Sequence, residues 1–538
     1  MRAMAWSWIL IPVLLVTAAK ADDPGQKYFD EALEKRLQAE SLRELTEVIE
    51  LAEKALDAGM SGPNKQFCES FLASTLIERA AQLSRPVLAG VPVDAQQLQQ
   101  LIRLREMAQR DLERAIELTP RTAQGQFLLG RLQSLPGGDK EKAIKALSAA
   151  IEIAEDEPGL RAKALVARAK IVDDPQKKKA DLDAAVEAAP GDIDAREARA
   201  TFLLQNNGAE KALDDIKAAL ELADEDEEPG LYELQGLALA TLKRYDQAEE
   251  AFTHTIEAVP GAASPYYYRA RVRLLNGNAQ GALEDVNKAL TLITPQPEVL
   301  LLRAAAYQQL GKTDAALKDV DSALKIAPNM PEAIRARATL LAGSGKLAEA
   351  IGDLERLNEG EAKDVATLLQ LGMLYYTNGN IRQAIDAFGE AIKQDPKRAL
   401  AYQARADARL RVGDHAGARD DYEQALKLEP DNTHVLNNLA WLLATSPEDN
   451  IRDAKRSIEL ATKACELTEY KQAHILSTLA AGYAESGDFD TAVKWSKKAL
   501  EVGKNDDRIG DQLEQELKSY EQRKPWREKQ TLEDEEQK

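Results

Sequence analysis

The side chains able to do chemistry are few and scattered. Four histidines, His254, His415, His434 and His474, stand at intervals that match no metal-ligand spacing, although His434 and His474 fall at equivalent places in neighbouring segments. Adjacent acids such as Asp420 and Asp421 have the type needed for general acid–base work. In a chain with 30% charged residues they read instead as a solvated helix face. Gly343-Ser344-Gly345-Lys346 ends like a phosphate loop, but the glycine required five residues before Gly345 is Leu340, so the segment reads as a turn. Cys68 and Cys465 are the two cysteines. A disulfide needs Cα atoms within about 7 Å, which residues near opposite ends of an extended chain do not reach, so free thiols in helices are expected. No catalytic residue, cofactor or metal site is predicted, and the chain reads as a non-enzyme.

The elements that would position such groups are helices. At 538 residues the chain exceeds one compact core and must be several domains or one repetitive array. Aromatics make up only 5%, and Ala, Leu, Glu and Lys dominate, a mixture that suits helices and is poor in strand formers. Residues 1–21 have the layout of a secretory signal: Arg2 at the start, an apolar run from Trp6 to Val16, and Ala19-Lys20-Ala21 as a small-x-small cleavage site. The run is shorter than the roughly 20 residues that span a bilayer. The predicted localisation is therefore exported, periplasmic or secreted, with cleavage near Ala21 and no stable membrane span. Cleavage removes Arg2 and Lys20 and no acid, leaving 68 basic and 90 acidic side chains, a formal charge of −22. Such a surface repels phosphate backbones, so nucleic acid is not an expected partner.

One residue type recurs at a fixed interval. Ala248, Ala282, Ala316, Ala350, Ala384 and Ala418 stand 34 residues apart. Twelve residues before each is Gly or Ala (Gly236, Ala270, Ala304, Ala338, Gly372, Ala406), and four residues after each is a large side chain (Phe252, Val286, Val320, Leu354, Phe388, Tyr422). Pro260, Pro328, Pro396 and Pro430 close four of the units. Helices of about 12–15 residues cannot bury an apolar stripe alone, so they pair and stack, with small residues at the closest backbone approach and large ones beside it. The segment Leu368 to Pro396, with Leu371-Gly372, Tyr375, Ala384, Phe388 and Ala391, resembles a tetratricopeptide repeat. Arg269-Ala270, Arg303-Ala304 and Arg405-Ala406 are variants of the Leu-Gly pair.

The resemblance implies an all-α, right-handed α-solenoid superhelix of about a dozen stacked antiparallel helix hairpins. The predicted organisation is a signal peptide (1–21), degenerate N-terminal hairpins (22–96), the array (97–505), and a capping helix with an acidic tail (506–538). Within this, Ser84 to Asp94 is expected to be a loop or linker, and the unit ending at Pro190 to have a shortened second helix. About six extra residues follow Thr433, a feature similar to the ends of many bacterial repeat proteins. Ile509, Leu513, Leu517 and Tyr520 form the stripe of the cap. Thr531 to Lys538 reads as disordered.

The family binds segments of other proteins along its first helices. Projected onto that geometry, the groove residues are Tyr267, Arg271, Leu301, Arg335, Leu369, Met373, Tyr376, Gln403, Asp407, Arg411, Asn437 and Trp441. Tyr267, Tyr376 and Trp441 are the candidate aromatic anchors. Chaperone-binding members clamp a carboxylate with Lys and an Asn four residues later. The matching pairs here, Tyr267/Arg271, Leu301/Ala305, Leu369/Met373, Gln403/Asp407 and Asn437/Trp441, do not fit that mode. The expectation is a protein-binding scaffold or adaptor, bacterial by the style of its signal and motifs. The alternatives are an assembly factor for an envelope complex, or a polysaccharide-binding or regulatory subunit, which would need an aromatic-lined pocket.

Overall fold

The protein is seen in a computed structural model that describes residues 23–90, 94–358, 364–504 and 510–528. The predicted signal segment, the tail from Thr531 and Ile509 of the cap stripe lie outside the described residues. Among the described residues there are 27 α-helices and no strand. Twelve pairs of consecutive helices form antiparallel hairpins, and Gly510–Glu521 follows as one last helix. The chain forms two compact units, residues 1–272 and 273–538, and each is itself a stack of hairpins.

Local sequence sets the hairpin. Asp or Asn stands at many helix starts, and the side chains of Asp174, Asp192, Asn278, Asp414, Asn432, Asp453 and Asp488 accept from backbone N–H groups that the helix cannot satisfy. Between paired helices the backbone must turn through the left-handed region. Gly277, Gly311, Gly345, Gly379 and Gly413, again 34 apart, hold φ between 70° and 85° there. Gly345 confirms that Gly343–Lys346 is a turn.

Two pairs of positions, both 16 residues apart, key each hairpin. The first sets the small residue of the leading helix against a fully buried large residue of the second. A Cβ added to Gly236 would lie 2.6 Å from the Phe252 ring, and one added to Gly372 would lie 2.5 Å from Phe388. Where the facing residue is Val320 or Leu354, Ala takes the glycine's place. Ala406 facing Tyr422 departs from this rule, and the Tyr422 hydroxyl is drawn to Asp407. The second pair is ionic. Arg199, Arg303, Arg337 and Arg405 each form two hydrogen bonds to Asp215, Asp319, Asp353 and Asp421, at 2.6–2.8 Å. Where the leading helix has Gln235 or Leu371 instead, the partner position is Ala251 or Ala387. A buried carboxylate is tolerated only with its cation, so the two change together.

Two expectations of helix extent fail, and so does the solvated face at Asp421, which is buried against Arg405. Residues 84–89 are not a loop: the helix Gly62–Ala89 runs through Pro86. Proline in a helix costs about 3 kcal/mol. Val87 and Leu88 pack against Ala80, Leu83, Ala108 and Leu112 of this hairpin, and at about 1.5–3 kcal/mol per buried side chain they offset that cost. Residues 91–93 of the predicted linker lie outside the described residues. The second helix of the unit ending at Pro190 is also not short; Pro175–Ala188 has 14 residues. Pro175 opens it at a first-turn position, where the missing N–H has no partner to lose, and Asp174 caps it.

Both cysteines are buried and free, and burial pushes each thiol up to about 12. Within each unit, the first helices of several successive hairpins touch one another, as do Gly62–Ala89 and Ala123–Gln133 in one unit and Val365–Thr377 and Ala399–Arg411 in the other. Second helices make no comparable contacts. The row of first helices is therefore the tighter, inner row of each stack.

Candidate binding surface

The predicted groove residues do not all present themselves alike. In the first unit, the Tyr267 ring meets Tyr268 edge-on at 5.4 Å, and the exposed Arg271 guanidinium lies 6.0 Å above it. In the second unit, Leu301 is half-buried among apolar neighbours. Arg335 is held by Asp364 at 2.8 Å and Thr367 at 3.2 Å on the next first helix. Leu369 is only 8% exposed and belongs to the core, because its helix is apolar almost all round. Met373, by contrast, is 52% exposed. Gln403 is half-buried. The Arg411 guanidinium lies 5.3 Å over the half-buried Tyr376 ring, a cation–π pair joining neighbouring first helices.

Around Asp407 the structure assembles a polar network. Its carboxylate accepts from the Tyr422 hydroxyl and from Asn438 Nδ2 at 3.2 Å, and stands 3.9 Å from His434 Nε2. The hydrogen bond to Asp407 raises the His434 pKa. Because Asn438 turns its NH₂ to a carboxylate, its Oδ1 faces Asn437 and accepts from Asn437 Nδ2 at 3.3 Å. Asn437 Oδ1 is then a buried acceptor with no donor. The network fixes which way both amides point.

Next to it lies a cavity of about 220 Å³. Asn437, Asn438 and Trp441 line it from the helix Thr433–Thr445, His474, Ser477 and Thr478 from Ala473–Glu485, and Gln512, Leu513 and Glu516 from the terminal helix. The terminal helix stands where the next first helix would. Glu516 is fully buried and accepts from the Ser477 hydroxyl and Gln512 Nε2, and burial raises its pKa. His474 is pushed down by burial and by His434 nearby. No group of three or more metal-ligating side chains occurs among the described residues.

The segment after the terminal helix folds back onto this region. Trp526 packs with Tyr520, Tyr483, Phe489 and Trp495. Glu485 holds both Arg527, at 2.6 Å, and Arg452 of the eight-residue turn that carries the predicted insertion, at 2.8 Å. Glu528 donates its backbone N–H to Thr445 and accepts the Trp441 indole N–H at 3.0 Å. Sequence reasoning placed Asn437 and Trp441 here and set His474 in register with His434, but missed Asn438, Ser477, Thr478, Gln512 and Glu516. One signal was available: Glu516 falls on the same stripe as Leu513, Leu517 and Tyr520, where a charge is out of place.

Models of the tetratricopeptide repeat family match residues 233–297, 297–330, 369–408 and 390–512. A tetratricopeptide repeat and J domain-containing co-chaperone of Cryptococcus neoformans is 29% identical over 160 residues, 28% of this chain and 30% of that one. Tetratricopeptide repeat protein 36 of Mus musculus is 39% identical over 85 residues, 14% of this chain and 46% of its own length. The chain thus spans less than half of these relatives. Among solved structures, yeast Tom70 aligns over 84% of this chain and 96% of its own, at 16% identity and a TM-score of 0.39. Cut9 with Hcn1, from the APC/C, aligns over 94% and 97%, at 14% identity and a TM-score of 0.37. No helix among the described residues is long and apolar enough to cross a membrane. The stretches similar to the tetratricopeptide repeat family are thus residues 233–330 and 369–512.

Proposed function

We propose that the chain is a non-enzymatic scaffold or adaptor that holds segments of partner proteins along the inner rows of its first helices. One observation carries this: on the first helices of the second unit, Met373 is 52% exposed, and the Tyr376 and Trp441 rings are only half-buried by hairpin packing. Rigid aromatics and arginine supply much contact area at small entropic cost. The relatives named as co-chaperone and repeat proteins accord with a binding role. We further propose that the chain is exported and processed near Ala21, in a bacterial envelope or outside the cell. N-terminal sequencing of the mature protein then starts at Asp22.

The alternative of a polysaccharide-binding or regulatory subunit called for an aromatic-lined pocket. The cavity beside Trp441 has that one large aromatic, with His474, Leu513 and six further polar or charged side chains around it, which favours a protein segment over a sugar chain. The test is chemical cross-linking of the full chain to envelope proteins, compared with a Tyr267→Ala/Tyr376→Ala/Trp441→Ala variant of equal helicity. Loss of the cross-linked partners is expected. An unchanged partner set would remove the groove reading.

A further inference from the structure

We infer that the cavity between Trp441, Asn437 and Glu516 is a subsite for a basic side chain, arginine or lysine, carried by the bound segment; this rests on the groove reading above. Two acceptors of this region lack the partner that their burial calls for. Glu516 is fully buried, yet its partners are a hydroxyl and an amide, and no cation of this chain pairs with it among the described residues. Every other deeply buried carboxylate discussed above has an arginine: Asp215, Asp319 and Asp421 are paired at 2.6–2.7 Å. The hairpins thus follow a rule that Glu516 breaks, and it breaks it at the wall of a cavity.

Asn437 adds a second unmet acceptor. Asp407 dictates the orientation of Asn438, and Asn438 that of Asn437, so the atom left without a donor is an oxygen. A buried acceptor left bare costs about 1–3 kcal/mol, and a turn of the enclosed Asn437 side chain toward the cavity would let a ligand's donor recover it. Trp441 supplies an indole whose N–H is already engaged by Glu528, leaving its ring for apolar or cation–π contact with an aliphatic stem and its charged end. An anion would meet a carboxylate and a carbonyl oxygen. A divalent metal is disfavoured, since no cluster of three ligating side chains is present among the described residues. At about 220 Å³ the cavity falls below the roughly 300–1,000 Å³ of drug-sized sites and suits one side chain.

The test uses the full chain and short random peptides displayed on phage. Selected peptides are resynthesised with each arginine replaced by citrulline and each lysine by norleucine, which leaves the protein untouched. Removing one partner of a buried charge pair weakens binding by about thirty-fold or more, so that loss is expected for one basic position on the wild-type chain. On Glu516→Gln the same replacement should change affinity less than about three-fold, because the coupled partner is already gone. This variant removes a buried charge and keeps the shape, so it folds. Equal binding of basic and neutral peptides, or equal losses on wild type and Glu516→Gln, would overturn the subsite. If selected peptides need Tyr376 but no basic residue, the subsite fails and the groove reading stands. If no peptide is selected, both fail.

Discussion

The keyed pair Gly372 and Phe388 allows the packing argument to be tested against helix propensity. Gly372→Ala in the helix Val365–Thr377 gains about 1 kcal/mol of propensity. The new methyl would sit 2.5, 2.7 and 2.9 Å from the Phe388 Cε1, Cδ1 and Cζ atoms, closer than any relaxed contact. Overpacking of this kind costs about 1–3 kcal/mol, so the ring must be displaced and the net effect is destabilisation by about 1 kcal/mol. Phe388→Val alone leaves a void and costs about 2–3 kcal/mol. The double variant recreates the Ala304/Val320 pairing found two units earlier, so the methyl fills part of the void. It should be less destabilised than the sum of its parts by about 1–2 kcal/mol, a coupling typical of touching residues. Because a stacked array does not unfold in one step, the readout is hydrogen exchange of amides in residues 365–394, with urea unfolding as a second measure. A neutral or stabilising Gly372→Ala, or additive effects in the double variant, would refute the claim that the glycine exists to admit the ring.

Three further outcomes follow from the same geometry. Arg303→Ala strands the nearly buried Asp319 and should cost about 2–4 kcal/mol, while Arg303→Leu/Asp319→Ala, the combination present at Leu371/Ala387, should recover most of it in thermal unfolding. Glu516 has a folded-state pKa above its unfolded one, so the folded chain binds more protons there and loses stability as pH rises between the two values. Glu516→Gln should therefore raise the melting temperature at pH 7 and have little effect at pH 4. His434 is raised by Asp407, a contribution to stability that is present in acid and fades as pH climbs through the folded value. In Asp407→Asn, its imidazole titration followed by NMR should move to lower pH, and an unmoved curve would show that the contact is not formed.

Much of the fold was legible because small and large residues recur on a helical phase: Ala248 through Ala418 and their partners located every hairpin of the regular stretch. The failures have separate causes. The stretch around Pro86 reads as a loop and the second helix before Pro190 as shortened, yet Pro86 is overridden by burial of its neighbours and Pro175 sits where that helix begins. Leu369 was projected onto the groove, but Leu368, Leu369, Leu371, Leu374 and Tyr375 wrap the helix and leave its outward face undefined from sequence. The site was legible only in part. Trp441 and Asn437 share a helix and a repeat phase, whereas Glu516 and Glu528 come from beyond the last repeat, where the period no longer says what lies next to what.

The paired positions spaced 16 apart also bear on how such a chain can grow or be edited. Both keys lock the two helices of one hairpin to each other, so a cut between hairpins spares them and breaks only the longer reach of Arg199, Arg303 and Arg337 back to Asp183, Asn287 and Asp321. A crossover between the helices of one unit would join, for instance, an arginine to an alanine, or a methyl to a phenyl ring that has no room for it. Duplication, loss and engineered grafting are thereby channelled to whole-hairpin steps, and composition varies freely from one hairpin to the next while staying matched inside each.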